Sequence, residues 1–141
     1  MEQTTRQTSL KIRELADFPA QTMDLIEMSR QGLTKNFLLE LADFSGISVK
    51  LLIELLPVSY RTIQRYGQDE RLKSNVSEHL LLIGKVFSKA EKVLGQKKVG
   101  DWLTTPVTAL GNRKPISLLD TSFGAEWVMD ELGRLEQGVY S

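Results

Sequence analysis

Leu51-Leu52-Ile53-Glu54-Leu55-Leu56-Pro57-Val58-Ser59-Tyr60-Arg61-Thr62-Ile63-Gln64-Arg65 reads as a helix, a tight break and a second helix. That is the layout of a helix-turn-helix, whose second helix lies in the DNA major groove with its first residues at the base edges. Ser59 can accept a hydrogen bond from the backbone N–H of Arg61 or Thr62 and so set the start of the second helix. Val58, Ile63 and Tyr66 are then placed to face a core, while Tyr60, Arg61, Gln64 and Arg65 project outward. Arginine suits guanine or phosphate, glutamine suits adenine, and free N–H groups at a helix start suit phosphate. The candidate DNA-reading set is Ser59, Tyr60, Arg61, Thr62, Gln64 and Arg65. The other reading is two core helices joined by a proline turn. Pro57 stands where the general motif carries glycine.

The flanking sequence continues in helices on both sides. Upstream, Pro19 can open a helix running to about Gln31 through Met23, Ile26 and Met28, with Gly32 as its stop. Thr34 caps a second, in which Phe37, Leu38, Leu41 and Phe44 recur at helical spacing up to Gly46. Ser48 caps the helix that Pro57 stops, and Ser59 starts the next, through Ile63 and Tyr66 to Gly67. Downstream, Ser74 or Ser77 opens the longest helix, with Val76, Leu80, Ile83, Val86, Phe87, Ala90 and Leu94 along one face and Gly95 as its end. His79 near its start reads as a surface or boundary residue, since nothing accompanies it that could ligate with it. A short helix over 96–103 buries Val99 and Trp102, Gly111-Asn112 marks a turn, and Pro115 starts another short helix. Thr121 or Ser122 caps the last helix, with Val128, Leu132 and Leu135 as its apolar stripe and Gly138 as its stop. No segment alternates with period two, so the fold is expected to be all-α.

Composition narrows the chemistry. The chain has 141 residues, 41% hydrophobic and 26% charged, which is ordinary for a globular protein. It has no cysteine and one histidine, so neither a disulfide framework nor a thiolate or histidine-rich metal centre is expected. No apolar run approaches the ~18 residues of a membrane span, and Met1 to Gln7 is polar with no apolar stretch behind it. A soluble, cytoplasmic protein with no membrane partner is expected. Eighteen Lys and Arg balance eighteen Asp and Glu. The charges are unevenly placed, however: the segment 59–73 is net +2, 85–98 net +4 and 116–141 net −4. Such a distribution suits two partners of opposite sign, or simply solvated helix faces.

A more specific signal lies in an ordered C-terminal series: Trp102-Leu103-Thr104-Thr105-Pro106, Ala109-Leu110-Gly111-Asn112-Arg113-Lys114-Pro115, Leu118-Leu119-Asp120-Thr121, and Leu132-Gly133-Arg134-Leu135-Glu136-Gln137-Gly138-Val139-Tyr140-Ser141. This series resembles the toxin-binding domain of the Xre/MbcA/ParS-type antitoxins. Upstream, Gly32-Leu33, Pro57-Val58-Ser59 with Arg61-Thr62, and Ala90 with Gly95 also fit that family's layout, so the resemblance covers roughly 22–141. Asn112 stands where the family usually has a second glycine, and Glu78-His79-Leu80 where an acidic residue followed by arginine is commoner. The first eight residues, rich in Thr and Gln, read as the start of a flexible N-terminal arm over 1–18, which the resemblance does not reach; beyond it the resemblance implies an Xre-like helix-turn-helix domain over 19–73 and a small helical toxin-binding domain over 74–141.

What the resemblance further implies is a non-enzymatic inhibitor of an NAD-consuming RES-domain toxin, needing no cofactor. The expected mechanism has the last helix and tail entering the toxin's NAD cleft. There Asp130, Glu131, Glu136 and the terminal carboxylate would complement a cationic pocket, and Tyr140 would serve as a rigid anchor. Gly138 lets the chain turn away from the helix, Val139 and Ser141 complete the tail, and Arg134 either bridges the interface or pairs with Asp130 or Glu131 on its own helix. Operator DNA is the second expected partner. A symmetric operator needs two recognition helices ~34–36 Å apart, and hence a homodimer. Two other classes stay open: a stand-alone helix-turn-helix transcription regulator with a C-terminal dimerisation domain, and an interaction scaffold that does not bind DNA. No glycine-rich phosphate loop, metal cluster or recognisable catalytic spacing suggests an enzyme.

Overall fold

The computed structural model describes residues 12–16 and 22–138. Among them run seven α-helices: α1 Thr22–Gln31, α2 Lys35–Ser45, α3 Val49–Glu54, α4 Tyr60–Gln64, α5 Ser74–Leu94, α6 Gln96–Leu103 and α7 Ser122–Gly138. Short 3-10 turns occupy Ile12–Glu14, Thr108–Leu110 and Pro115–Leu118. The only β pairing among the described residues is two isolated bridges, Thr34 with Arg71 and Val107 with Arg113. The fold is all-α, with the helix-turn-helix segment preceding the C-terminal helices.

Local side-chain chemistry sets most helix ends. Thr34 accepts from Phe37 N at 3.4 Å, Ser48 from Leu51 N at 3.1 Å and Ser59 from Thr62 N at 3.1 Å, each satisfying a backbone donor the helix itself leaves unpaired. Of the two candidates before α7, Thr121 is the cap, its hydroxyl accepting from Gly124 N at 3.1 Å. Pro19, expected to open the first helix, lies outside the described residues, and α1 carries Met23 exposed while Met28 is buried.

The longest helix starts differently from expectation. Neither Ser74 nor Ser77 caps it; Lys73 holds the cap position without a side-chain bond. Ser77 is fully buried, accepting from Leu33 N at 2.8 Å and donating to Leu72 O at 3.3 Å. One hydroxyl thus satisfies backbone groups from the loop before α2 and the loop after α4, a role that no local spacing announces.

Helix α5 is the axis of the molecule. Val76, Leu80, Ile83, Val86, Phe87 and Ala90 are buried along it as their spacing predicts. Around it pack α1, α6, α7 and the N-terminal 3-10 turn. One continuous buried cluster extends from Leu33 and Leu38, through α5, to Val128 and Leu132 of α7. Each such side chain contributes about 1.5–3 kcal/mol by leaving water. Leu103, Leu110 and Leu119 join this core, while Trp102 and Leu118 pack half-buried against it.

Part of the segment expected to be a loose arm is docked. Ile12 and Leu15 are buried against α5. Ser88 holds the turn from both sides, its hydroxyl donating to Arg13 O at 2.8 Å and accepting from Ala16 N at 3.1 Å. A methyl group at Gly84 would meet Leu15 Cδ1 at 2.6 Å, so the bare backbone there forms the notch that receives Leu15. The physical reason is apolar: Ile12 and Leu15 give the turn enough surface to bury.

Candidate functional site

Helix α3, the turn at 55–59 and α4 form the helix-turn-helix seen in the sequence. Leu55 and Leu56 remain buried through the break, and Ile63 anchors α4 to the core. The surface beyond carries Tyr60, Arg61, Thr62, Gln64 and Arg65, all exposed. Ser59 donates to Thr62 Oγ1 at 2.8 Å and accepts from Thr62 N at 3.1 Å, bonds that rigidify the helix start. Tyr60, Arg61, Gln64 and Arg65 are left as the outward polar face. Helix α4 ends at Gln64, three residues before the expected Gly67 stop. Its last carbonyls are taken early: Arg65 N and Tyr66 N bond to Thr62 O and Ile63 O, and Lys35 Nζ donates to Tyr66 O at 3.0 Å. Glu70 then holds Gly67 N at 3.0 Å, turning the chain toward α5.

The second surface is built on α7. Ala125, Val128 and Leu132 face the core. At about 100° per residue, Phe123, Trp127, Asp130 and Arg134 fall on the opposite side, and all four are exposed. The acidic residues of the sequence-derived toxin-binding set divide between these sides. Glu131 is only 7% exposed and receives two hydrogen bonds from Arg134, at 2.9 and 2.8 Å. Glu136 reaches across to α5, 2.7 Å from Lys89 Nζ. Two of the three side-chain carboxylates expected to face a partner are therefore neutralised within the chain, and among the described residues Asp130 alone of the three makes no ion pair. Of the two arrangements open for Arg134, the intrahelical pair with Glu131 is the one formed, and that carboxylate raises the guanidinium pKa above its usual value by hydrogen bonding and charge. Gly138 is the last described residue, and Val139, Tyr140 and Ser141 lie outside the described set.

Sequence reasoning passed over two residues on that outward face. Phe123 is 84% exposed and Trp127 43%. Their spacing of four on a helix whose apolar stripe is already supplied by Val128 and Leu132 was the available signal. Beside Trp127 stands the turn at Gly111-Asn112, where both residues adopt left-handed backbone, φ 69° and 59°. Asparagine tolerates this conformation, so the turn survives the loss of the second glycine. A methyl group at Gly111 would overlap Arg113 Nη1 and come within 3.9 Å of Trp127 Cη2. The guanidinium and the indole therefore converge on the bare side of the turn.

His79 is a boundary residue whose Nε2 lies 2.8 Å from Leu119 O, tying α5 to the chain before α7. Among the described residues no group of three or more His, Cys, Asp or Glu could hold a metal ion. No helix among them is long and apolar enough to cross a membrane.

Comparison with known proteins adds a family to this geometry. Residues 24–84 match the antitoxin Xre-like helix-turn-helix domain, and residues 89–138 match the antitoxin Xre/MbcA/ParS C-terminal toxin-binding domain. The first match ends and the second begins within α5, the helix both halves share. Among curated relatives, Antitoxin Xre of Yersinia enterocolitica is 29% identical over 120 residues, spanning 83% of this chain and 81% of its own length. Prs ADP-ribosylating antitoxin of a Sphingobium strain is 23% identical over 135 residues, spanning 88% and 85%. A second Antitoxin Xre, from Photorhabdus laumondii, is 43% identical over 44 residues, about 31% of this chain and 30% of its own length.

Proposed function

Because this chain belongs to the Xre-type antitoxins, we propose that it neutralises a cognate NAD-consuming RES-domain toxin by occluding the toxin's active site with the end of α7 and the residues beyond it. The chain performs no catalysis in this reading; it acts by filling another protein's pocket. The observation that carries the proposal is the placement of α7. The helix lies within the matched toxin-binding segment, is held to the core along one side, and presents a continuous exposed stripe leading from Phe123 through Asp130 and Arg134 to its C-terminal end. The name of the Sphingobium relative refers to ADP-ribosylation, a chemistry that draws on NAD, and is consistent with a toxin of that substrate class. Lys89–Glu136 ties the last turn of α7 to α5, and Arg134 pairs with Glu131 within that helix; Val139, Tyr140 and Ser141 follow in sequence.

The exposed face of α4 supports a second activity in the same protein, repression of its own operon by DNA binding through Tyr60, Arg61, Gln64 and Arg65. A homodimer would place two such helices on a symmetric operator.

The deciding experiment mixes the full chain, or the chain lacking residues 138–141, with a RES-domain enzyme from the same organism and follows NAD consumption. Suppression by the full chain and its loss on truncation are expected. Undiminished suppression by the truncated chain overturns occlusion by the tail, and no suppression by the full chain overturns the choice of toxin.

A further inference from the structure

The outward face of α7 carries large apolar area well away from the end assigned to occlusion. Phe123 is the most exposed large apolar side chain among the described residues, and Trp127 sits one turn further along the same face. Exposed Trp and Phe side by side are costly to leave in water unless a partner covers them. They are not packing residues displaced by poor fit, because Ala125, Val128 and Leu132 already fill the buried side of the helix. Arg113 converges on the same place from the Gly111-Asn112 turn, whose closure by Val107 N to Arg113 O at 3.0 Å and Asn112 N to Val107 O at 3.0 Å holds it there.

We propose that Phe123, Trp127 and Arg113 form an anchoring patch for the toxin, separate from the end of α7 that occludes its active site. The inference rests on the antitoxin reading above and adds a division of labour to it. Trp127 lies eleven residues before Gly138, about 16 Å along the helix, and Phe123 about 22 Å. A pocket blocked by the tail and a surface bound by the aromatics are therefore two sites on the toxin. The toxin surface that fits is an apolar recess for the two rings with a carboxylate at its rim to meet Arg113. Two observations select the toxin as occupant: the patch lies inside the matched toxin-binding segment, and it is continuous with the Asp130–Arg134 stripe leading to the tail. Tryptophan and arginine at the centre of an interface are the residue types whose truncation weakens binding most.

The test uses the full chain with Phe123→Ala, Trp127→Ala and both together, titrated calorimetrically against the RES-domain enzyme that the parent chain suppresses. Each titration is accompanied by NAD consumption at saturating antitoxin and by thermal unfolding. The expected result is a Kd raised by about 30-fold or more for Trp127→Ala and further for the double variant. Suppression at saturation stays complete, and the melting curve of Phe123→Ala is unchanged because that ring packs on little within the chain. Phe123→Ala keeps the test valid if Trp127→Ala unfolds. Affinities within about threefold of the parent for folded variants overturn the patch. So does a parent chain whose self-association in sedimentation is abolished by the same substitutions while toxin affinity is kept, since the occupant is then a second copy. If the parent chain itself fails to bind the enzyme, the antitoxin reading falls and the anchoring patch with it. Failure confined to the variants touches only the patch.

Discussion

Arg134 grips Glu131 with both arms of its guanidinium, Nε to Oε1 at 2.9 Å and Nη2 to Oε2 at 2.8 Å, and does so from the solvent side: the arginine side chain is 66% exposed and the carboxylate 7%. A fork-to-fork pair of this kind is geometrically specific, and here it is lopsided. The carboxylate has given up its water and depends on the arginine, whereas the arginine still has its own.

That asymmetry predicts an order of stabilities. Arg134→Ala leaves the Glu131 carboxylate without its partner in a place that excludes water, whereas Arg134→Ala combined with Glu131→Gln leaves only a neutral amide there. The single variant is expected to melt below the double variant, which differential scanning calorimetry at neutral pH measures. A double variant as unstable as the single one would show that the carboxylate is better hydrated than its burial implies.

Ser77 supports a second prediction, since its hydroxyl is the acceptor for Leu33 N inside the core. Ser77→Ala should cost about 1–3 kcal/mol of unfolding free energy, the usual penalty for an orphaned buried donor. Urea denaturation gives the magnitude. Faster amide exchange at Leu33 would place the effect at the loop preceding α2.

The docked N-terminal turn predicts that Leu15→Ala destabilises by about 2–4 kcal/mol, as truncation of a buried leucine does. Ser88→Ala should release the same turn by removing its bonds to Arg13 O and Ala16 N. Limited proteolysis near residues 12–16 should then accelerate in both variants, and a protease-resistant Leu15→Ala would contradict the docking.

For the helix-turn-helix, Arg61→Ala or Arg65→Ala should weaken binding to operator DNA while leaving toxin neutralisation intact, because both side chains stand exposed on α4, outside the segment matched to the toxin-binding domain. If the lost contact is to phosphate, the slope of log Kd against log salt falls by about one unit; if it is to a base, discrimination relaxes at one operator position. Binding isotherms on operator and unrelated duplexes separate these outcomes. Unchanged isotherms for both variants would favour a chain that no longer reads DNA.

Much of the architecture was legible without coordinates because it depends on neighbours in sequence. Thr34, Ser48, Ser59 and Thr121 each bond a backbone N–H three residues on, so a short window contains both partners. The apolar stripe of α5 and the Gly111-Asn112 turn are readable for the same reason. The paired carboxylates were harder: Glu131 and Arg134 are three residues apart and the pairing was one of two arrangements open, but Lys89 and Glu136 are 47 residues apart and meet only because α5 and α7 pack.

The amino-acid order by itself determined an all-α chain, its helix-turn-helix and the family to which its C-terminal series belongs, since periodicity, capping and turn conformation are interactions within a few residues. Only the tertiary structure decided that Ser77 and Ser88 serve as clasps, that Leu15 fills the notch at Gly84, and that Glu131 and Glu136 are neutralised at home while Phe123 and Trp127 are left facing water. Those outcomes depend on which side of each helix the rest of the molecule covers, and coverage is set by contacts between segments distant in sequence.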